Sequence, residues 1–107
     1  MVYVYAVTGP LGEAPAGNGL DGAPLRIVTT DELAAVVSDG DDAPVRVSEG
    51  VLWAHERVVE DLMADRPVLP MRFGSALRDD DAVRAMLVTR GEELAAALRR
   101  VSGAVEL

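Results

Sequence analysis

Val2 to Thr8 is apolar on both sides of a strand's two-residue period: Val2, Val4 and Ala6 fall on one side, Tyr3, Tyr5 and Val7 on the other. A strand with two apolar sides belongs in the middle of a sheet rather than at its rim, and the rest of the chain has to be arranged around it. Two further β-rich runs, Leu25 to Thr29 and Leu33 to Ser38, meet at Thr30-Asp31 and read as a hairpin. Between the first strand and that hairpin, Gly9 to Pro24 is rich in glycine and proline, has no helical period, and reads as a mobile surface loop. Asp39-Gly40-Asp41-Asp42-Ala43-Pro44 is a second turn or loop.

Ser48 can accept amide protons at a helix start, and Glu49 stands where the positive end of the helix dipole favours an anion. A helix over Glu49 to Asp65 follows, with Val51, His55, Val58 and Leu62 on one line, flanked by Leu52, Val59 and Met63. His55 is centred in this apolar stripe, whereas Trp53 shares the opposite, polar side with Arg57 and Glu60 and is expected to be exposed. The segment from Pro67 to Gly74 reads as a strand that contains Pro70, which removes a ladder donor and places the strand at a sheet edge or a bulge. Leu69, Met71 and Phe73 form its core side; Val68, Pro70 and Arg72 form the other. Asp79 to Asp81 cap and charge the start of another helix that turns Val83, Met86 and Leu87 inward. Gly91 bends or ends it, Leu94, Leu98 and Val101 continue the apolar side, Gly103 is a stop, and Ala104 to Leu107 starts a final strand.

This order of elements implies an α+β fold, an antiparallel or mixed sheet with helices packed on one face. The second face would then carry Tyr3, Tyr5, Val28, Val68 and Pro70, more apolar groups than a solvated face shows, so a cover is expected there.

With 107 residues the chain fits one domain, and its apolar runs fall far short of the ~20 residues that span a bilayer. The opening strand is not a secretory leader, which points to the cytoplasm. No cysteine is present, so disulfides, thiolate metal sites and a cysteine nucleophile are excluded. A formal charge of −8 and scattered cations disfavour nucleic acid. All ten cations are arginine, which removes Schiff-base and phosphate-loop lysine chemistry.

Apparent motifs fail on context. Gly17-Asn18-Gly19-Leu20-Asp21-Gly22 matches a dinucleotide fingerprint by letter but opens no helix. His55-Glu56-Arg57-Val58-Val59 resembles a zinc-protease helix, yet Val59 stands where the second ligand belongs and the chain has one histidine. A histidine hydrogen-bonded in the core to a tyrosine, a backbone carbonyl or a carboxylate fits better. Asp39, Asp41 and Asp42 lack the downstream glutamate of a calcium loop, and Ser38, Ser48, Ser75 and Ser102 have no base or nucleophile elbow. Arg72 needs a carboxylate or carbonyl inside the domain or on a partner, and an exposed Trp53 is a candidate anchor.

The opening Tyr3-Val4-Tyr5, the run Leu33-Ala34-Ala35-Val36-Val37-Ser38, His55 with Val58-Val59-Glu60, Val68-Leu69-Pro70-Met71-Arg72-Phe73-Gly74, Leu94 to Leu98 and the closing Gly103-Ala104-Val105-Glu106-Leu107 together resemble the N-terminal domain of the gas vesicle GvpF/GvpL family from end to end. The resemblance implies a ferredoxin-like domain of a non-catalytic accessory or minor structural protein without cofactor or metal. Its implied partners are the shell protein GvpA and other Gvp proteins, its implied location the gas vesicle or cytoplasm, and its implied second, mainly helical domain is absent from this chain. The expected partner-binding residues are Tyr3, Tyr5, Pro70 and Arg72, on a sheet face that docks either that second domain or the shell protein, together with Trp53 on the polar side of its helix. The alternatives are a small ferredoxin-like regulatory domain with Gly9 to Pro24 as a lid over a ligand, and an enzyme with an accessible His55 as general base.

Overall fold

A computed structural model describes residues 1–40, 48–72 and 75–104. Strand β1 (Val2–Thr8) is buried along its whole length. It pairs antiparallel with β3 (Ala34–Asp39) on one side, and on the other with β4 (Val68–Pro70) and the two-residue β5 (Ala76–Leu77). Strand β2 (Arg26–Thr29) closes the hairpin with β3, where the Thr30 amide donates to Leu33 and the Leu33 amide donates to Thr30 Oγ1. All pairings are antiparallel, and the order β2-β3-β1-β4 is that of a ferredoxin-like sheet. Pro70 sits on the edge strand, as its missing donor requires.

The expectation of helices on one face is corrected: helices cover both. Helix α2 (Asp80–Thr89) and helix α3 (Gly91–Ala104) pack Val83, Leu87, Leu94 and Leu98 against Val2, Val4, Val7, Val28, Ala35 and Val37. Helix α1 (Glu49–Met63) packs Val58 and Leu62 against Tyr3, Tyr5, Ala6, Val36 and Val68 on the opposite face. The cover expected over Tyr3, Tyr5 and Val68 is therefore this chain's own helix, and Val28 belongs to the other face.

Strand β1 also carries a β-bulge, which changes the sides taken by Ala6 and Val7. Val4 faces Val37 and Ala6 faces Val36, so Tyr5 is an extra residue in the register. A bulge inverts the inward–outward phase beyond it. Tyr3, Tyr5 and Ala6 thus share one face while Val2, Val4 and Val7 share the other, in place of the uninterrupted alternation read from the sequence.

The segment from residue 9 to 25 is more than a mobile loop. It carries a short 3-10 turn at Leu20–Gly22, with Asp21 at φ 55° and Gly22 at φ 74°, and buries Leu20 against the α1 face. At the other helices, Ser48 Oγ accepts from the Val51 amide and Asp79 Oδ1 from the Ala82 amide, the two caps expected. Helix α2 ends at Thr89 and α3 begins at Gly91; α3 runs through Gly103 to Ala104, so Gly103 is not a stop and Ala104 is helical. The expected turn at residues 41–44, Phe73 with Gly74, and residues 105–107 lie outside the described residues.

Arg26 clasps the hairpin to α2. Its guanidinium donates through Nε and Nη2 to Asp39 (3.0 and 2.9 Å) and through Nη1 and Nη2 to Asp80 (3.0 Å each). The hydrogen bonds to Asp80 and Asp39 raise the arginine's pKa, and Arg26 holds the Asp80 carboxyl below its ordinary value. Solvent reaches the cluster, which limits its worth to the upper end of surface pairs. Arg26→Met should lower unfolding free energy by about 1 kcal/mol in denaturant titration, with most of that loss disappearing in concentrated salt.

Candidate functional site

The expected site residues go to three separate places. Tyr3 and Tyr5 lie in the core under α1, 3% and 0% exposed, so neither belongs to a free docking face and their assignment as partner contacts is withdrawn. The pleat of β1 turns both rings toward α1, where they pack tilted against each other (centroids 4.8 Å), and His55 meets Tyr3 edge-on and Tyr5 at a tilt (5.7 Å each).

His55 is 6% exposed. Its Nε2 lies 3.0 Å from the Met71 carbonyl oxygen, which can only accept, so Nε2 carries the proton. Nδ1 lies 2.9 Å from the Tyr3 hydroxyl and accepts from it. This is the tyrosine-plus-carbonyl arrangement expected for a core histidine, and both ring nitrogens are engaged. Burial pushes the imidazole below its ordinary pKa, against the opposing bond to Met71 and the charge of Glu56.

The Tyr5 hydroxyl accepts from the Leu20 amide (2.7 Å) and shares a hydrogen bond with Ser38 Oγ (2.7 Å). Burial pushes this phenol up, out of reach of ordinary acid–base work. Gly19 is required here for space: a Cβ built on it would overlap the Tyr5 hydroxyl and Cζ. The loop is held down by this contact, and no part of the glycine-rich fingerprint opens a long helix.

Pro70 and Arg72 are exposed at the β4 edge. The Arg72 carbonyl accepts from the Ser75 amide and hydroxyl; among the described residues its guanidinium has no carboxylate partner. Trp53 is 64% exposed, as expected, and about 200° around α1 from His55, so it looks away from Met71, which follows β4. Trp53 and the Pro70–Arg72 edge are thus two surfaces.

Other candidates are absorbed structurally. Asp39 and Asp80 hold Arg26, Asp79 caps α2, and Asp81 pairs with Arg84 at 3.2 Å. Ser38, Ser48 and Ser75 each bond as described, and Ser102 is exposed on α3. Among the described residues no group of three or more His, Asp or Glu side chains could hold a metal, and no helix is long and apolar enough to cross a membrane. The sequence reading missed the contributions of Gly19, Leu20 and Ser38 to the tyrosine network. It also placed Leu52 and Met63 beside the buried stripe, whereas they are 37% and 52% exposed.

Gly19→Ala should cost about 1–3 kcal/mol in chemical denaturation, because either the loop or Tyr5 must move; an unchanged midpoint would mean that the loop is not pinned. A folded-state pKa below the ordinary value means that the unfolded chain binds the histidine's proton first, so stability rises with pH across that interval. The contribution of His55 is complete above the ordinary histidine pKa of about 6.5 and is lost as pH falls from there through the lower folded value. Melting temperature should therefore fall as pH is lowered below about 6.5, and His55→Gln should melt lower at pH 7.5 but with a flatter slope on the acid side.

Across residues 1–107 the chain matches the family described as Gas vesicle synthesis protein GvpL/GvpF. It is 36% identical to Gas vesicle protein L and 39% identical to Gas vesicle protein F of Streptomyces sp. strain CB03234, over 97% of this chain in each case. It spans 44% and 45% of those relatives, less than half their length. The crystal structures of GvpF from Anabaena sp. PCC7120 and from Microcystis aeruginosa share the fold, with TM-scores of 0.81 and 0.82 at 24% and 23% identity. The alignments cover 92% and 95% of this chain and 42% and 44% of theirs. From its opening Tyr3-Val4-Tyr5 strand to its last helix, this chain belongs to the GvpL/GvpF family of gas vesicle proteins.

Proposed function

We propose that this chain is a single domain equivalent to the N-terminal domain of its longer relatives, acting without catalysis as an accessory or minor structural component at the gas vesicle. Its work is to bind the shell protein GvpA and other Gvp proteins during assembly. The observation that carries this reading is the division between interior and surface. The chain's histidine, both its tyrosines and Ser38 are tied to one another or to backbone in the core, whereas Trp53, Pro70 and Arg72 are presented to solvent. The histidine and the tyrosines are spent on packing, and side chains suited to macromolecular contact are free for it.

The ligand-binding alternative needs the segment before β2 to lift as a lid. Its Leu20 amide bond to the Tyr5 hydroxyl and the tight approach of Gly19 oppose that motion.

Co-expression of the affinity-tagged chain with GvpA tests the reading. GvpA should co-purify with the wild type, and Arg72→Glu or Trp53→Ala should each reduce its recovery by about fivefold or more, without changing the melting temperature by more than a few degrees. Recovery no greater than with an unrelated tagged protein would reject shell binding. Undiminished recovery with either variant would remove that residue from the contact.

A further inference from the structure

The side of α1 turned away from the sheet carries a pattern that packing within the domain does not explain. At ~100° per residue, Glu49, Leu52, Trp53, Glu56, Glu60 and Met63 fall within one arc of about 100°, a stripe about 21 Å long. All six are exposed, the three apolar ones by 37%, 64% and 52% for Leu52, Trp53 and Met63. None of the three glutamates has an ion-pair partner among the described residues, and Arg57 lies outside the arc. At the rim of the stripe, about 60° around the helix from Trp53, Gly50 opens a shallow depression lined by Glu49, Leu52, Trp53 and Glu56, with nothing outside the helix near a Cβ placed there.

We propose that this stripe is a docking surface for a basic amphipathic helix of a partner protein, with an apolar side chain seated beside Trp53 in the Gly50 notch and cations set against Glu56 and Glu60. The proposal rests on the reading that the chain works through protein contacts, and names the chemistry of one partner element. Charge selects that occupant. A second copy of this chain would set glutamates against glutamates, and an apolar helix would bury three carboxylates without counter-charge. The helix itself is firmly held, by the Ser48 cap and by Val58 and Leu62 in the core, so it offers a preorganised face.

The test uses the chain's single tryptophan as reporter and a synthetic helical peptide of leucine and lysine, about four turns long, as probe. Titration should shift Trp53 emission to shorter wavelength and saturate, with affinity falling about tenfold from low to physiological salt. Glu56→Gln with Glu60→Gln should weaken binding by about tenfold, while Glu13→Gln with Glu92→Gln, the same change in net charge elsewhere, should leave it unchanged. Gly50→Gln should weaken binding with the melting temperature unchanged or raised, since it fills the notch and improves helix propensity.

No emission shift, an equal shift with a leucine–glutamate peptide, or equal losses in the two double variants would overturn the proposal. A chain that retains GvpA but ignores the basic peptide overturns this surface alone. One that binds the peptide but retains no GvpA overturns the shell-binding reading alone.

Discussion

A phenol hydroxyl in the middle of a core has to find partners there, because an unpaired one costs about 1–3 kcal/mol. Two such groups stand side by side on β1, and their partners come from four segments on that face. Tyr3 reaches His55 on α1, and through it the Met71 carbonyl that follows β4. Tyr5 reaches Ser38 on β3 and the Leu20 amide in the long connection to β2. Helix, edge strand, central strand and connection are thus registered against one another by two side chains. A slip of any of the four leaves a buried donor or acceptor unpaired, so the network specifies arrangement more than it adds net stability.

The bulge at Tyr5 explains why Ala6 and Val7 were assigned to the wrong sides from sequence. A period of two assigns faces correctly only while the ladder is regular, and nothing in Val2 to Thr8 marks an inserted residue. Elements whose signals are local were legible: the Ser48 and Asp79 caps, the Thr30-Asp31 hairpin, the proline-marked edge strand, the histidine at the centre of its stripe. Which face a helix covers is different in kind. It depends on how the connections cross the sheet, and an apolar stripe such as Val51, His55, Val58 and Leu62 fits either face equally well. Strand β5 has only two residues and no pattern of its own, and Leu20 is one apolar residue among glycines and prolines.

Of the expected contact residues, Trp53 was legible because helical geometry alone placed it opposite the buried stripe. Tyr3 and Tyr5 were not, since an aromatic ring on a sheet face looks the same from sequence whether its cover is internal or a partner. Pro70 and Arg72 keep their exposed positions because the edge strand buries only Val68 fully, with Leu69 and Met71 turned toward the α2–α3 side.

Helix α1 therefore has two sides under different constraints. Its inner side is determined by folding: His55, Val58 and Leu62 are each matched to a neighbour across the sheet. Stability explains little of its outer side. Glu49 gains from the helix dipole, but Glu56 and Glu60 lie beyond the first turn, where that effect has faded. Leu52, Trp53 and Met63 in water add nothing to the core and raise the risk of association, and the glutamates between them temper that risk by mutual repulsion. Exposed apolar groups kept apart by unpaired charges of one sign favour a partner that brings both an apolar surface and the opposite charge, and disfavour self-association on the same face.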